Sequence, residues 1–93
     1  MAKFVVEMVY GQDEEKRLAV RPAHRDYAKE LAERGELLAA GPYQDGAGAQ
    51  LIYEAPDEAA VRGLLDADPY LREGVLASTT IREWNALVGA WIS

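Results

Sequence analysis

Two helix-forming stretches, each bracketed by runs rich in β-branched and aromatic residues, divide this chain into strand–helix–strand twice over. Phe4 to Tyr10 reads as a first strand ending at Gly11. Phe4, Val6, Met8 and Tyr10 project to one face, and Val5 and Val9 flank Glu7 on the other. With apolar residues on both faces, the strand is expected to be covered on both, so that Glu7 needs a partner or a wet cavity. The polar stretch Gln12 to Arg17 suits a short helical turn. Pro22 suits the first turn of a main helix that stops at Gly35. On that helix His24, Tyr27, Ala28 and Leu31 form a buried stripe, and Glu30 and Arg34 pair on the outside.

Leu37 to Tyr43 reads as the second strand, residues 44–48 as a turn, and Ala49 to Glu54 as an alternating third strand. Pro56-Asp57-Glu58 opens a second helix that buries Val61, Leu64 and Leu65. Asp68-Pro69 ends it, because a residue before proline avoids helical geometry. Residues 72–74 turn the chain into a fourth strand, Leu76 to Trp84. The tail, residues 85–93, is apolar enough to require packing on its own domain or on a partner subunit.

The order β-α-β-β-α-β predicts an α+β, ferredoxin-like domain spanning residues 1–93: a four-stranded antiparallel sheet with both helices on one face. Right-handed crossovers place the start of the first helix and the end of the second at the same edge. At 93 residues the domain gains from pairing with a second copy, so a homodimer is expected. Sixteen acidic residues against ten basic ones, a net charge of −6, argue against nucleic acid as a partner. No apolar run is long enough to span a membrane, and the N-terminus enters a strand directly; a cytoplasmic location is expected. Without cysteine, thiol catalysis and thiolate metal sites are unavailable. No phosphate-cradling or dinucleotide motif occurs, so neither a metal nor a cofactor is expected.

The chemistry-bearing candidates gather at that common edge. His24, the one histidine, lies near the expected helix start, and Asp68 extends the buried stripe of the second helix. A carboxylate that accepts a hydrogen bond from one imidazole nitrogen fixes the tautomer and leaves the other nitrogen as a base suited to neutral pH. Periodicity alone favours the plainer reading, a structurally hydrogen-bonded histidine and a turn-forming aspartate, because Asp-Pro is a common turn opening. Arg17 and Arg21 precede His24 by seven and three residues and offer a positive rim for an anionic or phenolic substrate, or else a solvated surface. Tyr43 and Tyr70 offer phenols, and Ser78 a hydroxyl, to a ligand.

Residues Glu15 to His24, then Gly35 to Pro42 with its Ala40-Gly41-Pro42, then Asp68-Pro69-Tyr70 followed by Gly74-Val75, resemble the YciI-like (YCII-related) proteins from Lys3 to Trp84. The resemblance implies a ferredoxin-like protomer that pairs as a dimeric α/β barrel with sheets facing across the interface. It also implies a proposed active site at His24 and Asp68. Members are similar in fold to muconolactone isomerase, and one branch dehydrochlorinates a chlorinated hydroxyhydroquinone. Arg25-Asp26 after the histidine, and Arg82-Glu83-Trp84 without a proline, depart from the usual pattern and leave the pair intact. The leading expectation is a cofactor-independent lyase, isomerase or dehydrochlorinase-like enzyme. The alternatives are a non-catalytic homodimeric binding or accessory module and a purely structural dimer.

Overall fold

A computed structural model describes residues 1–92. Its elements are β1 (Ala2–Tyr10), α1 (Glu14–Glu33), β2 (Leu37–Pro42), β3 (Gly48–Ala55), α2 (Glu58–Asp66), a one-turn α3 (Pro69–Arg72) and β4 (Leu76–Trp84). The strands form one antiparallel sheet in the order β2-β3-β1-β4. This is the ferredoxin-like arrangement that the strand and helix order predicts.

Strand alternation decides what is buried. Phe4, Val6 and Met8 of β1 and Leu51 and Tyr53 of β3 point to the helical side. There they meet Leu31 of α1 and Val61 and Leu65 of α2 in one cluster. Each large apolar side chain taken fully out of water contributes about 1.5–3 kcal/mol. Gly48 is required where β3 passes β1, since a Cβ there would collide with the Met8 carbonyl oxygen.

The opposite sheet face carries Val5, Glu7 and Val9 of β1 beside Gln50 and Ile52 of β3. The expectation that β1 is covered on both faces is not met within one chain: Glu7 is exposed and Val9 is 46% exposed. Glu7 instead accepts a hydrogen bond from the Tyr43 hydroxyl at 2.7 Å. Ile52 is buried on this face, in a cleft that Trp91 and Ile92 of the tail also line. The tail only borders this cleft: Trp91 stays 80% exposed, and Leu87 and Val88 are exposed as well, so the burial expected for the tail is not met within one chain. Ser93 lies outside the described residues.

The first helix is longer than Pro22 suggests. α1 starts at Glu14, where the Asp13 carboxylate caps the Lys16 N–H, and it runs through Pro22 without stopping. Proline lacks the N–H that would bond the Leu18 carbonyl. Both residues face solvent, so water can serve that carbonyl and the helix continues. Nor does Asp68-Pro69 simply end α2: Asp68 becomes the N-cap of α3, with Pro69 in its first turn.

Tyr53 is fully buried, and its hydroxyl has no hydrogen-bonding partner among the described residues. Burial pushes its phenol well above the ordinary value of 10.0, and the neighbouring Asp68 and Tyr27 add to the rise. Burial likewise raises Tyr27 and Tyr70. Once the pH exceeds that ordinary value, phenols of the unfolded chain ionise while these keep their protons. Stability is therefore retained below pH 10.0 and declines as the pH rises beyond it. Tyr53→Phe is expected to raise neutral-pH stability by about 1 kcal/mol, by removing an unsatisfied polar atom, and to flatten the alkaline decline. Urea titrations at pH 7 and 10.5 check both effects; a clear loss at pH 7 would mean that the hydroxyl is well satisfied.

Candidate active site

The site is built on the inward stripe of α1. Arg17, Val20, His24, Tyr27 and Leu31 follow one another at spacings of three and four, so they share the side that faces the sheet and α3. Because the helix begins ten residues before His24, that residue sits in mid-helix rather than near the start. The Tyr27 hydroxyl donates to the Leu64 carbonyl at 2.6 Å, satisfying an acceptor in the last turn of α2 and tying the two helices together.

Asp68, only 1% exposed, faces His24. Its Oδ1 accepts the backbone N–H of Tyr70 at 2.9 Å, which closes the α3 cap, and lies 2.8 Å from His24 Nδ1. An ionised carboxylate can only accept, so Nδ1 is the donor, and in the neutral imidazole this leaves the lone pair on Nε2. The Tyr70 ring stacks on the imidazole with centroids 3.9 Å apart and planes within 3° of parallel. One residue's backbone therefore orients the carboxylate, and its side chain orients the ring that the carboxylate holds. Tyr10 meets Tyr70 edge-on at 6.0 Å, and the Arg17 guanidinium lies over the Tyr10 ring at 4.5 Å from its centroid.

His24 opens onto a cleft of about 260 Å³ between α1 and the β2–β3 edge of the sheet. Its floor is small and apolar, with Ala40 and Pro42 of β2 and Ala49 of β3. Its α1 side carries Arg17, Arg21, Arg25 and Lys29. Among the described residues no three His, Cys, Asp or Glu side chains gather as a metal site requires.

Of the candidates read from sequence, His24, Asp68, Arg17, Arg21 and Tyr70 come together here. Tyr43 and Ser78 do not. Ser78 pairs with Val9 across β1 and β4, so strand alternation puts it on the far face of the sheet. Tyr43 follows the last residue of β2 and turns to that same face. Its hydroxyl lies between Glu7 at 2.7 Å and Gln50 at 2.9 Å, and the Glu7 hydrogen bond holds its phenol above the ordinary value. Tyr10, Arg25, Lys29 and the small floor residues were missed. Arg25 and Lys29 extend the four-residue spacing that Arg17 and Arg21 begin, a signal present in the sequence; the floor depends on strand register.

Fold and site together define a small α+β protein with a histidine–carboxylate pair beside a basic cleft. The chain belongs to the family of the YCII-related domain, which matches residues 2–85. It is 36% identical over 92 aligned residues to Protein YciI of Escherichia coli O6:H1, a match covering 84% of this chain and 94% of that protein. Among solved structures it is similar to 5-chloro-2-hydroxyhydroquinone dehydrochlorinase (TftG) from Burkholderia phenoliruptrix AC1100, determined in complex with 2,5-dihydroxybenzoquinone. That likeness has a TM-score of 0.79 at 22% identity and covers 89% of this chain and 93% of that one. An antibiotic biosynthesis monooxygenase structure is similar at a TM-score of 0.64 and 18% identity, covering 95% of this chain and all of that one. At these identities the structural likenesses show the fold. No helix among the described residues is long and apolar enough to cross a membrane.

Proposed function

We propose that this chain is a cytoplasmic, cofactor-independent proton-transfer enzyme of the lyase or isomerase type, acting on a small cyclic or phenolic metabolite. The observation that carries this reading is the His24–Asp68 contact at 2.8 Å, with the imidazole stacked on Tyr70 at the edge of a basic cleft. His24 Nε2 accepts a proton from the substrate, and Asp68 stabilises the imidazolium that forms. Arg21 and Arg17 stabilise the negative oxygen left behind. In an isomerase the imidazolium returns its proton at another carbon. In a dehydrochlorination the electron pair of the broken C–H bond expels chloride, and the proton leaves through the imidazole. The TftG likeness supports the choice of a single-ring oxygenated substrate.

We also infer a homodimer, in which the sheet face bearing Val5, Val9, Ile52 and Trp84 is covered by the same face of a second copy. Light scattering coupled to size-exclusion chromatography is expected to give twice the 10.2 kDa chain mass. A monomer at micromolar concentration would refute the pairing.

The activity is tested by proton NMR in deuterium oxide, following C–H exchange in a panel of phenols, lactones and chlorinated hydroquinones. Catalysed exchange or chloride release is expected for at least one ring compound. Ligand-induced shifts at His24 with no exchange in any compound would favour the non-catalytic binding module instead.

A further inference from the structure

Arg17, Arg21, Arg25 and Lys29 follow one another at a strict four-residue spacing along α1, and all four line the cleft that holds His24. Like charges at that spacing repel and weaken a helix, so the row does not serve the stability of α1. It is also conspicuous against the rest of the chain. Four of the ten Lys and Arg residues gather here although the net charge is −6, and no Asp or Glu lines the cleft. None of the four forms an ion pair among the described residues, whereas Arg34 contacts two carboxylates and Lys3 one. Asp68 is buried behind the imidazole, bonded to His24 and to the α3 cap, and forms no ion pair with any of the four.

One phenolate oxygen beside His24 needs at most one or two of these cations. Arg25 directly follows His24 and Lys29 lies five residues, a little over one turn, beyond it, so this pair carries the charge past the imidazole toward the C-terminal part of α1. The floor of Ala40, Pro42 and Ala49 is smooth and apolar, as a planar ring requires, and a volume of about 260 Å³ suits one ring with small substituents. The charge comes from side chains spread along α1 from its first turn onward, and the Arg17 N–H is already bonded to the Asp13 carbonyl. On its charged side the cleft therefore lacks the row of free amides with which helix N-termini and glycine loops hold phosphate. Planar guanidinium groups match a carboxylate through paired hydrogen bonds.

We propose that the cleft selects single-ring hydroxy-carboxylates: the ring lies on the small-residue floor, its carboxylate pairs with Arg25 and Lys29, and its oxygen-bearing end reaches His24. This specificity rests on the proton-transfer reading only for which end of the ligand faces the imidazole. Recognition of the carboxylate stands on the charge row.

The test is a titration of the full chain with 4-hydroxybenzoate, phenol and inorganic phosphate, by calorimetry and by NMR of the His24 ring protons. 4-Hydroxybenzoate, whose carboxylate and hydroxyl lie at opposite ends of the ring, is expected to shift those resonances and to bind at least tenfold more tightly than phenol, with affinity falling as salt is added. The double variant R25Q/K29Q is expected to lose at least fivefold in 4-hydroxybenzoate affinity while its phenol affinity stays unchanged. Its melting temperature should stay level or rise, since both side chains are exposed and a repulsion is relieved. Phenol binding as tightly as 4-hydroxybenzoate, phosphate binding more tightly than either, or unaltered 4-hydroxybenzoate affinity in R25Q/K29Q would each overturn the proposal. Tight, R25Q/K29Q-sensitive 4-hydroxybenzoate binding without any proton exchange across the ring panel would sustain it and remove the proton-transfer reading alone.

Discussion

Replacing Asp68 by alanine is expected to cost about 3 kcal/mol of folding stability, a large share of what a domain of this size possesses. The carboxylate is 1% exposed, and one oxygen serves two donors, the Tyr70 amide and His24 Nδ1. Loss of an N-cap alone costs about 1 kcal/mol, and a donor left buried without an acceptor costs about 1–3 kcal/mol more. Asp68→Asn keeps an oxygen for the cap and nearly the same volume, so it should lose less than half as much. Urea denaturation of the two variants beside the parent chain measures the difference. A loss below 1 kcal/mol for Asp68→Ala would show that water readily replaces the carboxylate.

Replacing His24 by glutamine is expected to lower proton-exchange turnover by about 10²–10⁴-fold, the usual contribution of a positioned general base. Gln retains polarity and helix propensity, so the protein should remain folded, although it forfeits the flat stack on Tyr70 at 3.9 Å. Asp68→Asn is expected to depress turnover as well, because an amide can hold the imidazole in the wrong tautomer. Initial rates against the most active ring compound, with circular dichroism to confirm folding, decide the matter. His24→Gln retaining more than a tenth of the parent rate would assign the proton transfer to another group.

The sheet order and the helical side of the core were legible because they rest on periodicity. Phe4-Val6-Met8 and Leu51-Tyr53 alternate, while Leu31, Val61 and Leu65 fall on helical stripes. His24 and Asp68 were legible as candidates because the topology brings α1 and the chain after α2 together. Pro22 was misleading because its usual meaning is a helix start. Here the Asp13 cap lies nine residues upstream, and solvent exposure tolerates the missing hydrogen bond. Tyr43 and Ser78 were placed wrongly relative to the cleft because residue type carries no information about which sheet face a residue occupies. Register supplies that, and one residue of slip reverses it. The small-residue floor was invisible for a related reason: Ala40, Pro42 and Ala49 matter by what they lack, and sequence does not show which neighbours leave a space.

The double duty of Asp68 bears on how relatives of this chain should be sorted. A descendant that abandoned proton chemistry would still need an acceptor to start α3, so its aspartate would persist as a folding requirement. The imidazole is tied less tightly: it gives the Asp68 oxygen one of its two donors, which another donor side chain could replace, so it would drift sooner than the acid once turnover ceased to matter. Among diverged cousins, then, retention of the histidine discriminates working from silent copies, and the acid beside it is nearly mute on the question.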